Sequence, residues 1–149
     1  MQIYIGSDHA GYQLKELIQN QVKEMGHNVV DLGTFNADVK VDYPDIAREV
    51  GEKVNENAGS FGILVCGSGI GVSMAANKLK GIRAANAYDV KSAELARAHN
   101  NANILTLGER LLDAEKAKEI VKTFLEVPFE GGRHEARVEK IAGLETDSD

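Results

Sequence analysis

The feature that most constrains this chain is a rhythm: short runs of β-branched and aliphatic residues recur between longer amphipathic stretches. IYI at 3–5, NVVDL at 28–32, FGILVC at 61–66, IRAANAY at 82–88 and ANILTLG at 102–108 read as strands. Helices are expected over about 11–25, where Leu14, Leu17, Ile18 and Val22 recur at helical spacing, and over 44–57, 72–79, 90–100 and 113–126. Gly26 fits a residue just past a helix end, Pro44 a first helical turn and Asp113 an N-cap. After Pro128 and the Gly131-Gly132 pair, a last helix is expected over about 132–143, and the acidic tail ETDSD is expected to fray. Strand followed by helix, five times over, specifies an α/β fold with a five-stranded, mostly parallel sheet. The unbroken apolar run FGILVC fits a strand buried on both faces. With 149 residues and no linker or repeat, residues 1–149 are expected to form one domain.

Composition narrows the partners. A net charge of −6 weighs against nucleic acid, which selects basic surfaces, and requires any phosphate site to be built locally from arginines and backbone N–H groups. No stretch approaches the ~20 apolar residues that span a bilayer, and the N-terminus lacks the basic-then-apolar pattern of a signal peptide. The single cysteine cannot form an internal disulfide, which fits a reducing cytoplasm. One cysteine and four scattered histidines show no metal-ligand spacing, and neither metal nor cofactor is expected.

In parallel α/β sheets ligands bind outside the carboxyl ends of the strands. Three segments therefore stand out: Ser7-Asp8-His9 after the first strand, Cys66 to Gly71 after the third, and His99-Asn100 before the fifth. Gly67, Gly69 and Gly71 open a helix directly after a buried strand, an arrangement that aims backbone N–H groups at an anion. The loop lacks the Lys-Ser/Thr ending of a P-loop, and its Gly-x-Gly-x-Gly is one residue short of the dinucleotide fingerprint. Asp89, about 20 residues on, imitates the ribose-binding acid, so a nucleotide-binding module remains an alternative. Cys66 is either a small buried hydrophobe ending a strand or a thiol activated beside a helix start. The polar cluster around His9 is not expected in the core, and His27 reads as a solvated surface residue. His99 is either a helix C-terminal residue facing the dipole or a general acid/base. Arg133 and Arg137, four apart, share one helix face, as a salt-bridged surface or as a phosphate clamp.

Seven segments taken together carry a more specific signal: GSDHAG (6–11), VDYPD (41–45), CGSGIGVSMAANK (66–78), GIRAA (81–85), ARAHNNANIL (96–105), LGERL (107–111) and EGGRHEARV (130–138). In order and across almost the whole chain, they resemble the ribose-5-phosphate isomerase B family, which includes allose-6-phosphate and galactose-6-phosphate isomerases. The resemblance implies Rossmann-like three-layer α/β/α subunits, a homodimer or tetramer with shared active sites, and the C-terminal helix at the subunit interface. It implies metal-free, cofactor-free interconversion of ribose 5-phosphate and ribulose 5-phosphate in the pentose phosphate pathway, or of a six-carbon sugar phosphate. Carried over by residue, Cys66 would be the base that moves a proton between C2 and C1, His99 would assist ring opening, and Ser68 would handle the hydroxyl proton. Asp8, His9, Tyr43 and Asn100 would contact the sugar. Gly67, Ser68, Gly69, Ile70 and Gly71 would surround the developing oxyanion, and Arg133, Arg137 and Arg110 would hold the phosphate. Position 68 is Ser where many members of the family carry Thr, which bears on substrate preference rather than on the reaction.

Overall fold

The computed structural model describes residues 1–145. The five strands are β1 (Gln2–Ser7), β2 (Asn28–Asp31), β3 (Phe61–Cys66), β4 (Ala84–Asn86) and β5 (Ile104–Gly108). They form one sheet in the order β2-β1-β3-β5-β4, with every neighbouring pair parallel. The helices are α1 (Tyr12–Glu24), α2 (Tyr43–Glu56), α3 (Ile70–Ala76), α4 (Val90–Ala98), α5 (Ala114–Glu126) and α6 (Arg133–Ala142).

Alternation along the strands sorts the core into two layers. Ile3, Ile5, Ile63, Val65, Leu105 and Leu107 face α1, α4 and α5, where Ile18, Val22, Ala93, Ile120 and Phe124 meet them. Tyr4, Leu64, Cys66 and Ile104 face α2 and α3, against Ile46, Val50, Val72 and Ala76. Each fully buried aliphatic side chain here contributes roughly 1.5–3 kcal/mol. FGILVC is thus buried from both sides, as its uninterrupted apolar run implies. Gly26 adopts φ +91° just past α1, and Asp113 caps α5 by accepting from the Lys116 amide at 2.8 Å, both in the expected roles.

Three expectations need correction. Leu17 lies 44% exposed, and the side chain facing the core at that level is Lys15, 0% exposed. Lys15 shares a helix face with Ile18 and Val22, and its ammonium is held by both oxygens of Asp31 at 2.7 Å. The fourth and fifth strands are shorter than the apolar runs, because the residues before them are spent on turns: Asn103 N donates to Arg83 O at 3.0 Å, and Asn103 Oδ1 accepts from Arg83 N at 2.8 Å. Ser7 and Asp8 are buried rather than surface-lying, since the Asp8 amide still donates to Val65 O at 3.3 Å alongside β3. Of the tail expected to fray, Thr146 to Asp149 lie outside the described residues.

The strand order fixes where a ligand can sit. The chain leaves β1 into α1 on one face and leaves β3 into α3 on the opposite face. The loops after these adjacent strands therefore diverge, which opens a crevice at their carboxyl ends.

Candidate active site

Cys66 ends β3 in that crevice, 5% exposed. Its sulfur accepts a hydrogen bond from the Gly69 amide at 3.1 Å, an interaction that strengthens as negative charge builds on sulfur. The bond exists because Gly69 turns back in the left-handed region, φ +79°, where an L side chain is strained. The Ile70 amide donates to Ser68 Oγ at 3.1 Å, which leaves the serine's own proton available outward. Ile70 itself is 47% exposed. A small cleft of about 100 Å³ opens beside Ser68, between Asn86, Tyr88 and Leu111.

Other chain segments converge on this loop. Asp8, 7% exposed, accepts from the Gly11 amide at 3.1 Å and so caps the short turn that carries His9. His9 Nδ1 accepts from the Val41 amide at 3.3 Å, which assigns the ring proton to Nε2. The loop after β5 is tied to the cysteine loop, Glu109 N donating to Cys66 O at 2.9 Å and Arg110 N to Gly67 O at 3.0 Å. Arg110 lies against Gly67 so closely that a Cβ there would stand 3.0 Å from Nη1, and a Cβ on Gly71 would stand 2.7 Å from the Tyr43 ring. Asp8, His9, Tyr43, Arg110 and the whole run from Cys66 to Gly71 are thus brought together.

His99, Asn100, Arg133 and Arg137 are not. His99 caps the C-terminus of α4, and the turn that follows it bonds to the starts of β3 and β4 through Asn103. Helices here run against the strands, so these residues lie at the amino edge of the sheet, ~17 Å from Cys66 along the six-residue β3. There, His99 stacks on His134, ring centroids 4.1 Å apart and planes at 15°. Glu130 Oε1 sits 3.8 Å from His99 Nε2 and 3.5 Å from His134 Nε2. Arg133 and Arg137 project from α6 as exposed side chains. Burial first, then the nearby His99 and Arg133, hold the His134 imidazole below the usual histidine range, with Glu130 acting in the opposite direction. The ligand atoms of His99, Glu130 and His134 all lie within 4.8 Å of one another. Both imidazole Nε2 atoms thus face one Glu130 oxygen, and Arg133 Nε lies 3.5 Å from His134 Nε2.

His134 and Glu130 lay inside EGGRHEARV, yet only the packing of α6 against the end of α4 reveals that they touch His99. Asp89 has a structural task instead of a ribose: it accepts from the Ser92 amide at 2.7 Å in a reciprocal cap of α4. Hydrogen bonding to Ser92 holds its carboxyl below the usual range. His27 is half-buried, its Nδ1 3.2 Å from the chain's amino group, rather than a fully solvated residue. A groove of about 1140 Å³ runs between the end of α6 and the α3–β4–α4 region, lined by Leu79, Ile82, Asn100, Ile141 and Leu144. It lies at the His99 edge, away from the cysteine. No helix among the described residues is long and apolar enough to cross a membrane.

This geometry has close counterparts. Residues 3–141 match the model of the ribose/galactose isomerases. Ribose-5-phosphate isomerase B of Escherichia coli is 43% identical over 143 residues, covering 96% of this chain and 95% of that protein. The structure of the Clostridium thermocellum ribose-5-phosphate isomerase B superposes with a TM-score of 0.95 at 48% identity, covering 97% of each chain. The Mycoplasma genitalium enzyme, solved with bound ribulose 5-phosphate, superposes with a TM-score of 0.94 at 47% identity, covering 99% of this chain and 97% of its own. The chain belongs to the ribose/galactose isomerase family.

Proposed function

We propose that this chain interconverts ribose 5-phosphate and ribulose 5-phosphate, a step of the pentose phosphate pathway, as a cytoplasmic homodimer or larger homo-oligomer with shared active sites. The observation that carries the substrate assignment is the Mycoplasma genitalium structure with bound ribulose 5-phosphate, alike along 99% of this chain. The reaction needs a base at C2, fixed donors for the enediolate oxygens, and a grip on the phosphate.

The cysteine loop offers the first two. Cys66 takes the C2 proton of the open-chain aldose, the electron pair of that bond forms the C1–C2 double bond, and the proton returns at C1 to give the ketose. Amides of the Gly67–Gly71 turn face the oxyanion, and one such donor is worth about 3 kcal/mol in the transition state. Ser68, already accepting from Ile70, donates its proton to a substrate oxygen. Asp8, His9 and Tyr43 contact the sugar, and Arg110 stands near the phosphate end. His99 and Asn100, with Arg133 and Arg137, complete the site from a second copy: His99 opens the furanose and the arginines bind the phosphate. Two features support the second copy. The residues needed for ring opening and phosphate binding lie at the opposite sheet edge within one chain. Of α6 only His134 is buried, while Ile141 and Leu144 remain 44% and 80% exposed beside the groove.

The test is loss of deuterium from ribose 5-phosphate labelled at C2. Wash-out by the parent protein and its abolition in Cys66→Ala, with sugar-phosphate binding retained, are expected. Tight binding without exchange would make the chain a sensor, and exchange on a six-carbon phosphate alone would reassign the substrate.

A further inference from the structure

We propose that Thr106 is a positioning residue for the isomerase chemistry: its hydroxyl anchors the Gly69 peptide, and through it the amide facing the Cys66 sulfur and the hydroxyl of Ser68. Thr106 lies in the middle of β5 on the α3 side of the sheet, beside Leu64 of β3, and is completely buried. An aliphatic residue is what such a position normally holds, and valine would match its shape. The hydroxyl is the part that needs an explanation. Its oxygen lies 2.8 Å from Gly69 O and 3.3 Å from Asn86 Oδ1, so its single proton goes to the glycine carbonyl.

That carbonyl belongs to the peptide whose N–H, on Ile70, donates to Ser68 Oγ. A carbonyl that accepts a hydrogen bond makes the N–H of its own peptide a better donor. On the other side of the same glycine, the Gly69 amide donates to Cys66 Sγ. Both interactions depend on Gly69 keeping its left-handed conformation, and Thr106 ties that conformation to a strand of the sheet. Thr106 touches no reacting atom in this scheme. It acts through Gly69.

The inference rests on the isomerase reading above, and the test separates the two. Thr106→Val, Thr106→Ala and Thr106→Ser are compared by kcat and KM for ribose 5-phosphate, by melting temperature, and by the rate at which iodoacetamide alkylates the thiol at fixed pH. With one cysteine in the chain, alkylation reports on Cys66 alone and needs no turnover. Val and Ala are expected to lower kcat by about tenfold, to leave KM within about twofold and to slow alkylation, while Ser stays close to the parent. Ser and Ala both lack the methyl group and differ only in the hydroxyl, so this pair decides the matter if the valine variant does not fold. Equal kcat and equal alkylation rates for Ser and Ala would overturn the proposal. So would a change in melting temperature alone.

Discussion

Gly67 and Gly69 sit two residues apart in one loop, yet replacing each with alanine has very unequal expected consequences. At Gly69 the backbone is left-handed, φ +79°, which costs an alanine ~1–2 kcal/mol. Its new methyl would also stand 2.6 Å from Asn86 Oδ1, 2.8 Å from Leu107 C and 3.0 Å from Gly108 N. The amide side chain can swing away, but the other two atoms are backbone of a central strand, and forcing them apart adds ~1–3 kcal/mol. Gly69→Ala is thus expected to lose roughly 3 kcal/mol, or about 6–12 °C of melting temperature for a chain of this size. The displaced turn also removes the amide from Cys66, and kcat falls at least ~100-fold. At Gly67 φ is not positive, and the nearest atoms to a new Cβ belong to the tip of the exposed Arg110 side chain, Nη1 at 3.0 Å. Gly67→Ala is expected to stay within about 1 kcal/mol of the parent. Because the chain has no tryptophan, thermal melts at fixed protein concentration are followed by far-UV circular dichroism. Equal melting temperatures for the two variants would refute the assignment of Gly69 as the conformational pivot.

Two further outcomes follow from charge burial. Asp31→Ala leaves the completely buried Lys15 ammonium with the partly exposed Glu16 carboxylate, 3.4 Å away, and the faces of the Tyr12 and Phe35 rings, so about 3–5 kcal/mol should be lost in urea titration. Lys15→Met should cost less, because the 15%-exposed Asp31 carboxylate keeps water and the Gly33 amide; the reverse order would refute this account. His134 is held below the ordinary histidine value of about 6.5, so the unfolded chain takes up that proton first as pH falls. Stability should therefore decline as pH drops from neutrality through that window. The decline should be shallower in His134→Phe, as read from melting temperature against pH, and an unchanged slope would count against the assignment.

The fold was largely legible because burial on both faces writes itself into β1, β3 and β5 as apolar runs. Leu17 was expected on the core face in place of Lys15 because helical spacing of apolar residues does not record whether a partner such as Asp31 waits beneath a charged one. In the site, the loop Cys66–Gly71 was legible since local backbone demands and chemistry coincide there. His99 was placed by sequence in a loop near the fifth strand, but whether that meant its carboxyl or amino edge depends on helix direction and strand order. Thr106 and Asn86 carried no local signal at all: each matters through a contact with Gly69, more than a dozen residues away in the chain.

The separation of Cys66 from His99 across the sheet has a genetic consequence. If every working site takes its thiol from one chain and its imidazole from another, a Cys66→Ala chain and a His99→Ala chain fail for different reasons. A mixed dimer of the two places both lesions in one site and neither in the other. Two inactive preparations, unfolded together and allowed to reassociate, should therefore recover about a quarter of the parent's activity, because half the dimers are mixed and each has one sound site. Alleles of this kind would complement each other within a single cell.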